Sequence, residues 1–375
     1  MNELEKCRAE IDRIDKEIVK LYEERMKVSE SVAEYKIGAG KNVLERTREE
    51  EKLAAVKALT NNDFNSKGIE ELYQQIMSMS RKKQYALMNK KGMGLQLPFI
   101  AVDKLYDNPP RVVFQGVKGA YSEEAMIRFF GEGVDSINVP SFRDAMCSVE
   151  EGSANFAVLP IENSSAGIVS ANYDLLSEFE DYIVGEQIIE INNCLIGLPG
   201  ATENDIKTVY SHPQALMQSA GFLEKHDYTL VSYDNTAMAA KKVKDDNDIT
   251  QGAVCGERAA KLYGLDVIKK NINFSDGNST RFIVVTNQKI FLKDAKKVSI
   301  SFEIPHQSGS LYRILSHFIY NDLNMNNIES RPIPDRPWEY RFFVDFDGNL
   351  VQASVKNALM GIREEARNLR VLGNY

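Results

Sequence analysis

Apolar residues recur at three- and four-residue steps through the first ninety positions. Leu4, Cys7, Ile11, Ile14, Ile18, Leu21, Val28, Val32 and Tyr35 form one such series, the spacing that keeps one face of a helix in a core. The stretch contains no Pro, and its pattern predicts helices over Leu4 to Ile37, Glu45 to Leu59 and Ser66 to Met88, with breaks at Gly38, Gly40 and Asn61-Asn62. Residues 1–90 thus read as an all-α domain. Gly92, Gly94, Pro98, Pro109 and Pro110 interrupt periodicity over the next twenty positions, so 91–110 reads as a linker. Short strands are then expected at Arg111 to Gln115, Ala157 to Pro160, Val209-Tyr210, Tyr228 to Tyr233, Ala253-Val254 and Arg281 to Thr286. Helical stretches such as Ser122 to Phe130 and Gln214 to Glu224 separate them. That alternation predicts an α/β domain over 111–288. The remainder, 297–375, reads as strand (Lys297 to Ile304), helix (Gly309 to Asn321), two strands (Met325 to Arg331, Tyr340 to Asp345) and helix (Val351 to Asn368), a small α+β unit of βαββα type.

Cations punctuate the helical domain at Arg8, Arg25, Lys36 and Arg48. Arg25 falls on the apolar stripe, where a desolvated guanidinium costs several kcal/mol unless an anion meets it. Arg25 and Lys36 lie roughly 16 Å apart along one helix face at ~1.5 Å per residue, within reach of one small dianion. Arg8 is roughly 25 Å further back on the same straight helix by that rise, so only a second protomer's Arg8 can join them. The competing reading is that each cation snorkels along the surface and pairs with Glu23, Glu24 or Glu34.

At 375 residues and 43% hydrophobic content the chain is long enough for two or three packed domains. A net charge of −8 gives no reason to expect nucleic acid or an anionic membrane as a partner. No apolar run approaches the ~20 residues that span a bilayer, and the N-terminal residues lack the basic and apolar regions of a secretory signal. A cytoplasmic location is expected. Cys7, Cys147, Cys194 and Cys255 are scattered, which argues against a disulfide framework or zinc site, and His212, His226, His306 and His317 lack metal-ligand spacing. Neither a metal nor a cofactor is expected.

Together these residues resemble the bifunctional chorismate mutase–prephenate dehydratase family over nearly the whole chain. In the helical module, Arg8, Arg25, Lys36, Glu45, Arg48, Glu49, Ser80 and Gln84 match the family's substrate-holding set, with Glu45 where relatives often have Asp. In the middle domain the islands are Gly116-Val117-Lys118-Gly119-Ala120-Tyr121-Ser122, Pro160 to Gly167, Ser211-His212-Pro213-Gln214-Ala215-Leu216, Asp234-Asn235-Thr236-Ala237 and Asn278-Ser279-Thr280-Arg281-Phe282. Five islands in order over one domain make a specific signal. The C-terminal unit resembles an ACT regulatory domain, with Gly309-Ser310-Leu311 opening its first helix and Glu329-Ser330-Arg331-Pro332 on the next strand; relatives usually have Ala at the position of Ser310.

The resemblance implies a helical mutase module, a two-lobed dehydratase domain like the periplasmic binding proteins, and a βαββαβ-like ACT domain. It implies a chorismate and prephenate enzyme of phenylalanine biosynthesis, an isomerase and lyase in one chain, that is inhibited by phenylalanine and forms a homodimer or higher homo-oligomer. By the same resemblance Arg8, Arg25, Lys36, Arg48, Glu49 and Gln84 carry the mutase step, with Glu45 and Ser80 holding substrate. Thr280 is the dehydratase proton donor, and Ser122, Asn163, Ser164, Gln214, Thr236, Arg281 and Phe282 surround prephenate. Gly309, Ser310, Leu311, Glu329 and Ser330 would hold the effector.

Each of these residues also has an ordinary structural role open to it. Asn163 suits an Asx turn that binds its own backbone, Gln214 the first turn of a helix after Pro213, Thr280 a satisfied strand residue, and Gly116 and Gly119 a simple turn. His212 reads as structural. A mutase fused to a dehydrogenase would need a Gly-x-Gly-x-x-Gly after a strand, which Gly116-Val117-Lys118-Gly119 lacks. The non-enzyme alternative is an amino-acid-responsive binding protein with degenerate catalytic sites.

Overall fold

The computed structural model describes residues 2–273 and 277–375. The chain divides into two units, Met1–Leu97 with Ser301–Arg370, and Pro98–Ile300 with Val371–Tyr375. The helical region and most of the C-terminal α+β region therefore share one unit.

Helix α1 (Glu3–Ala39) opens with a reciprocal capping box between Asn2 and Glu5, which satisfies two otherwise orphan donors. It runs through Gly38 and stops at Gly40, whose φ of 64° provides the left-handed C-cap. Helices α2 (Arg46–Lys57) and α3 (Asp63–Lys90, capped by Asn62) follow. The expected burial of the α1 stripe is corrected here. Leu4, Ile11, Ile14, Ile18, Leu21, Val28, Val32 and Tyr35 are between 41% and 66% exposed, and the buried positions of α1 are Met26, Ser29 and Ala33. Those three repeat every three to four residues and face α3, so a single chain covers a narrower face than the apolar pattern provides.

The second unit begins inside the stretch read as linker. There β1 (Ile100–Val102) pairs in parallel with a later strand, Ile290–Leu292. Next come β2 (Arg111–Gln115), α4 (Tyr121–Phe130), β3 (Asp135–Val139), α5 (Phe142–Glu150), β4 (Phe156–Asn163), β5 (Gly167–Ile168), α6 (Ser170–Glu178), β6 (Tyr182–Glu190), β7 (Cys194–Gly197), β8 (Thr208–Ser211), α7 (Pro213–Gln218), α8 (Ala220–Leu223), β9 (Thr229–Ser232), α9 (Thr236–Asp246), β10 (Gln251–Cys255), α10 (Glu257–Tyr263), β11 (Asp266–Lys269), β12 (Ser279–Thr286) and β13 (Ile290–Leu292). One lobe carries the order β6-β12-β4-β2-β3 and the other β11-β7-β10-β8-β9. The single helix expected from Gln214 to Glu224 is two, α7 and α8, meeting at the buried Ser219.

The lobes meet closely at glycines. Gly119 has φ 88°, and a Cβ there would sit 3.2 Å from Ala259 Cα; a Cβ on Gly256 would sit 3.1 Å from the Tyr121 hydroxyl. Gly119 therefore serves both the turn and the approach of two backbones, more than a simple turn requires.

The C-terminal region comprises β14 (Lys297–Glu303), α11 (Ser310–Ile319), β15 (Met325–Pro332), β16 (Tyr340–Asp347), α12 (Ala353–Glu365) and β17 (Arg367–Asn374), with strand order β15-β16-β14-β17. The helix expected to run to Asn368 ends three residues earlier and gives way to β17, so the unit is βαββαβ. Phe302, Phe318, Phe346, Leu359 and Ile362 are fully buried in its core. Glu303, 1% exposed, closes the end of β14 by accepting from Arg336 Nη2 (2.7 Å), Arg341 Nη2 (2.8 Å) and Asn368 Nδ2 (2.9 Å). Burial raises the pKa of this carboxyl, but the three donors outweigh burial and hold it below its ordinary value.

Its stabilisation is present above the unfolded glutamate value of about 4.3 and fades as pH falls through the lowered folded value. Glu303→Gln should cost about 2 kcal/mol at pH 7, read as a shift in denaturant midpoint. The penalty should shrink at pH 3; one that is equal at both pH values would contradict the assignment.

Candidate functional sites

In the helical region, Arg25 of α1 donates from Nη1 to Ser80 Oγ of α3 at 2.8 Å, and Ser80 Oγ lies 2.7 Å from Ser29 Oγ. Gln84 is one turn beyond Ser80 on the same α3 face. It is 6% exposed, and among the described residues its Oε1 has no hydrogen-bond partner. Lys36 donates to the Val43 carbonyl at 2.6 Å and lies 2.9 Å from Glu45 Oε1. None of Glu23, Glu24 or Glu34 is its partner. The Lys36 hydrogen bond and charge lower the Glu45 pKa.

The rest of the cationic set is not assembled by one chain. Arg8 lies on the exposed part of α1, and Arg48 is exposed, with Glu51 3.7 Å away. Glu49 is instead gripped by Arg81, which donates from Nη1 at 2.7 and 2.5 Å. Sequence reasoning passed over Arg81, whose place beside Ser80 is the one hint of its role. Its burial and its second partner, Glu365, far along the chain, leave no local pattern.

In the second unit a polar knot joins the end of β4 to the start of β12. Asn163 is paired with Thr280 in register. Its Nδ2 donates to Thr280 Oγ1 (2.9 Å), Asn278 Oδ1 (3.0 Å) and the Ser279 carbonyl (3.1 Å). Its Oδ1 accepts from the backbone N–H groups of Ser165 (3.1 Å) and Ala166 (2.8 Å) and from the Ser165 hydroxyl (2.8 Å). Asn163 therefore forms the Asx turn and also reaches Thr280. Ser164 Oγ accepts from the Ser279 N–H at 2.9 Å. Gln218 of α7, 5% exposed, donates to Ser165 Oγ at 2.7 Å from the other lobe. Asn278 is 4% exposed, with an Nδ2 that lacks a partner among the described residues. Asn278, Ser165 and Gln218 were not singled out from the sequence, although two of them sit inside the quoted islands.

Other expected residues are placed differently. Phe282 is 2% exposed and packs with Val112, Phe114, Met126 and Val184, so it builds the lobe's core and does not line a cleft. Arg281 points to the opposite side of the strand from Thr280, with Glu162 and Glu186 each 3.5 Å away, so protein carboxylates already flank it. Ser122 is buried in the first turn of α4, Thr236 begins α9, and Gln214 follows Pro213 at the start of α7 with its backbone N–H on His212 Nδ1 at 3.2 Å.

In the C-terminal region, Gly309 (φ 76°) caps α11 and Ser310 is buried, accepting from Arg313 Nη2 at 3.1 Å. Gly309, Ser310 and Leu311 line a hollow of about 410 Å³ with Ile304, Trp338 and Tyr340. Glu329 and Ser330 lie on β15 and do not line it.

Comparison with known proteins agrees with this layout. Residues 7–85 match the family described as Chorismate mutase type II, and residues 112–290 the family described as Prephenate dehydratase. A bifunctional chorismate mutase/prephenate dehydratase of Aquifex aeolicus (strain VF5) is 32% identical over 381 residues, covering 100% of this chain and 98% of that protein. One from Buchnera aphidicola subsp. Acyrthosiphon pisum (strain APS) is 33% identical, covering 98% and 95%. Among solved structures, a prephenate dehydratase from Arthrobacter aurescens in complex with L-Phe superposes with TM-score 0.66 at 29% identity, over 71% of this chain and 89% of that one.

Asn163→Ala removes every bond in the knot that this side chain makes. A loss of about 2 kcal/mol is expected, since bonds of one residue are not additive, against less than 1 kcal/mol for Thr280→Val. Equal midpoints for the two variants in denaturant titrations would show that Asn163 is not the hub.

Proposed function

The chain belongs to the bifunctional chorismate mutase/prephenate dehydratase family, and we propose that it rearranges chorismate to prephenate in its helical module and converts prephenate to phenylpyruvate between its two lobes. The observation that carries the mutase half is the buried Gln84 amide, whose Oε1 has no partner among the described residues, one helical turn from the Ser80 that Arg25 addresses. A buried polar position without a partner calls for one; turning the amide over places Nε2 where Oε1 stands, and an ether oxygen accepting from that N–H provides the partner.

The rearrangement breaks an ether bond as a carbon–carbon bond forms within one molecule. The protein has to fold the substrate into its reactive pose and stabilise developing charge. Arg25 holds one carboxylate and Arg8 of a second copy the other; Lys36 and Gln84 address the ether oxygen; Glu49, Arg48, Glu45 and Ser80 orient the ring and its hydroxyl. For Lys36 this means exchanging the Val43 carbonyl for substrate. The exposed stripe of α1 supports a second copy as its cover, because several half-exposed aliphatic side chains in one line are each worth roughly 1.5–3 kcal/mol when fully buried.

In the dehydratase half the ring hydroxyl leaves as water while the ring carboxylate leaves as carbon dioxide. Thr280 Oγ1 accepts from Asn163, which leaves the hydroxyl proton of Thr280 free to point at a departing oxygen. Asn163 and Ser164 fix that geometry, and backbone N–H groups at the start of α4 by Ser122, with Gln214 and Thr236 from the other lobe, face the substrate. The C-terminal region acts as an ACT domain that binds phenylalanine at the Gly309-Ser310-Leu311 end of α11; its hollow lies within the size range of small-molecule sites. The L-Phe complex of the Arthrobacter relative supports this reading.

Chorismate added to the purified chain should disappear while prephenate and then phenylpyruvate accumulate, and phenylalanine should slow the flux. Lys36→Ala should lower mutase turnover at least 100-fold and spare conversion of added prephenate; Thr280→Ala should do the reverse. No turnover of either substrate would favour the binding-protein reading. Light scattering should give a dimer, and Ile14→Glu with Ile18→Glu should yield a monomer without mutase activity. A fully active monomeric wild type would exclude the second copy's Arg8.

A further inference from the structure

Arg81 is 8% exposed, and its guanidinium stands between two carboxylates from opposite ends of the chain. Nη1 holds Glu49 of α2 in a bidentate contact, and Nη2 donates to Glu365 Oε1 of α12 at 3.0 Å. Glu365 is in turn 3.1 Å from His317 Nε2 and 3.8 Å from Arg313 Nε of α11. Arg313 Nη2, on the same guanidinium, donates to Ser310 Oγ. A continuous polar chain, Ser310–Arg313–Glu365–Arg81–Glu49, thus runs from the first residue of α11 to the mutase helices.

All five residues belong to the same unit. Tyr85 and Asn89, four and eight positions after Arg81 on α3, also bond α12, to Glu364 and Asn357. The contact is therefore a line of three polar pairs along one helix face. Ser80 and Gln84 occupy the adjacent α3 face, so the same helix presents the mutase residues on one side and the C-terminal region's grip on the other.

We propose that Arg81 is a positioning residue of the mutase site, that it sets the orientation of the Glu49 carboxylate, and that Glu365 is the handle by which the C-terminal domain acts on it. This rests on Glu49 being part of the mutase site. Arg81 divides its donors between two acids, so the strength of its contact with Glu365 determines how firmly it holds Glu49. Because the fork geometry of a guanidinium sets both contacts, a lysine cannot fully replace it.

The test uses the full-length chain, with chorismate consumption measured across substrate concentrations and helix content checked by circular dichroism. Arg81→Met should lower mutase kcat about tenfold with little change in KM, and Arg81→Lys should recover part of the loss. Glu365→Gln should lower kcat about threefold in the wild type but have no further effect in the Arg81→Met chain. An unchanged kcat in Arg81→Met, or a Glu365→Gln effect of the same size with and without Arg81, overturns the proposal. If Arg81→Met loses its helical signal, Arg81→Lys replaces it, and a Glu365→Gln effect that is undiminished there overturns the proposal equally. Glu49→Gln separates the two levels. If it lowers turnover while Arg81→Met does not, only this inference fails; if turnover is unchanged in Glu49→Gln, the mutase-site reading itself fails.

Discussion

A guanidinium that is nearly dry must be met by carboxylates, because taking a charge out of water costs several kcal/mol that only close anions offset. Arg81 meets that requirement with Glu49 and Glu365, from α2 and α12, and the mutual placement of three helices follows from it. Burial alone would lower the Arg81 pKa, yet the two acids raise it. Burial would likewise raise that of Glu365, yet His317, Arg81 and Arg313 keep it low. Removing either partner leaves an uncompensated buried charge, which costs more than the pair itself contributes. Around this point the neighbouring polar pairs at Tyr85 and Asn89 can be satisfied only with α12 in place. The Tyr85 hydroxyl, buried against Glu364, has its pKa driven upward and acts as a donor.

The two candidate sites use different physics. The helical one is organised by charge, as suits a dianionic substrate and developing charge on an ether oxygen. The one between the lobes is organised by neutral amides and hydroxyls. Asn163 spends both ends of its amide there, accepting from the turn that follows β4 and donating to the strand that carries Thr280. Its role as a local turn former and its role beside Thr280 are one arrangement, because the same Oδ1 bonds that close the turn orient Nδ2 toward β12. Gln218 extends the knot into the second lobe through Ser165, so the separation of the lobes and the geometry around Asn163 are linked.

Much of this was legible in the sequence where periodicity is local and strong. The three long helices, β2, α4, and the strand-helix-strand-strand run of the C-terminal region lie within a few residues of the expected positions. What was missed is short, non-local or without alternation: β6, nine residues long, opens on four consecutive buried positions, Tyr182 to Gly185. The strands Cys194–Gly197 and Asp266–Lys269 carry too few residues to show alternation, and Asp135–Val139 has only two apolar residues, Ile137 and Val139. In β17 the charged Arg367 and Arg370 broke the strand pattern and extended the preceding helix on paper. Phe282 lies two residues beyond Thr280 on the same face of β12, whose register with β6 runs unbroken there, and that step along the strand takes it from the polar knot into the lobe's core. Arg81 shows no local signal because the partner that explains it, Glu365, lies on a helix of the C-terminal region. The apolar stripe of α1 is the opposite case: its periodicity predicts burial that one chain does not supply.

That last discrepancy separates two kinds of completeness in the helical module. Its contacts with the C-terminal region are made within a single chain, through α3, and need no association. The face carrying Arg8, Ile11, Ile14 and Ile18 is left uncovered, and Arg8 is too distant along α1 to reach the Arg25–Ser80 contact of its own chain. If a second copy covers that face, each mutase site draws its second carboxylate ligand from the partner's α1 while its Glu49 remains under the control of its own α12. Association then governs whether the site exists, and the Arg81 contact governs how well it is aligned. Because these act on different faces of different helices, they should affect turnover independently, with the first changing the fraction of competent sites and the second the rate at each.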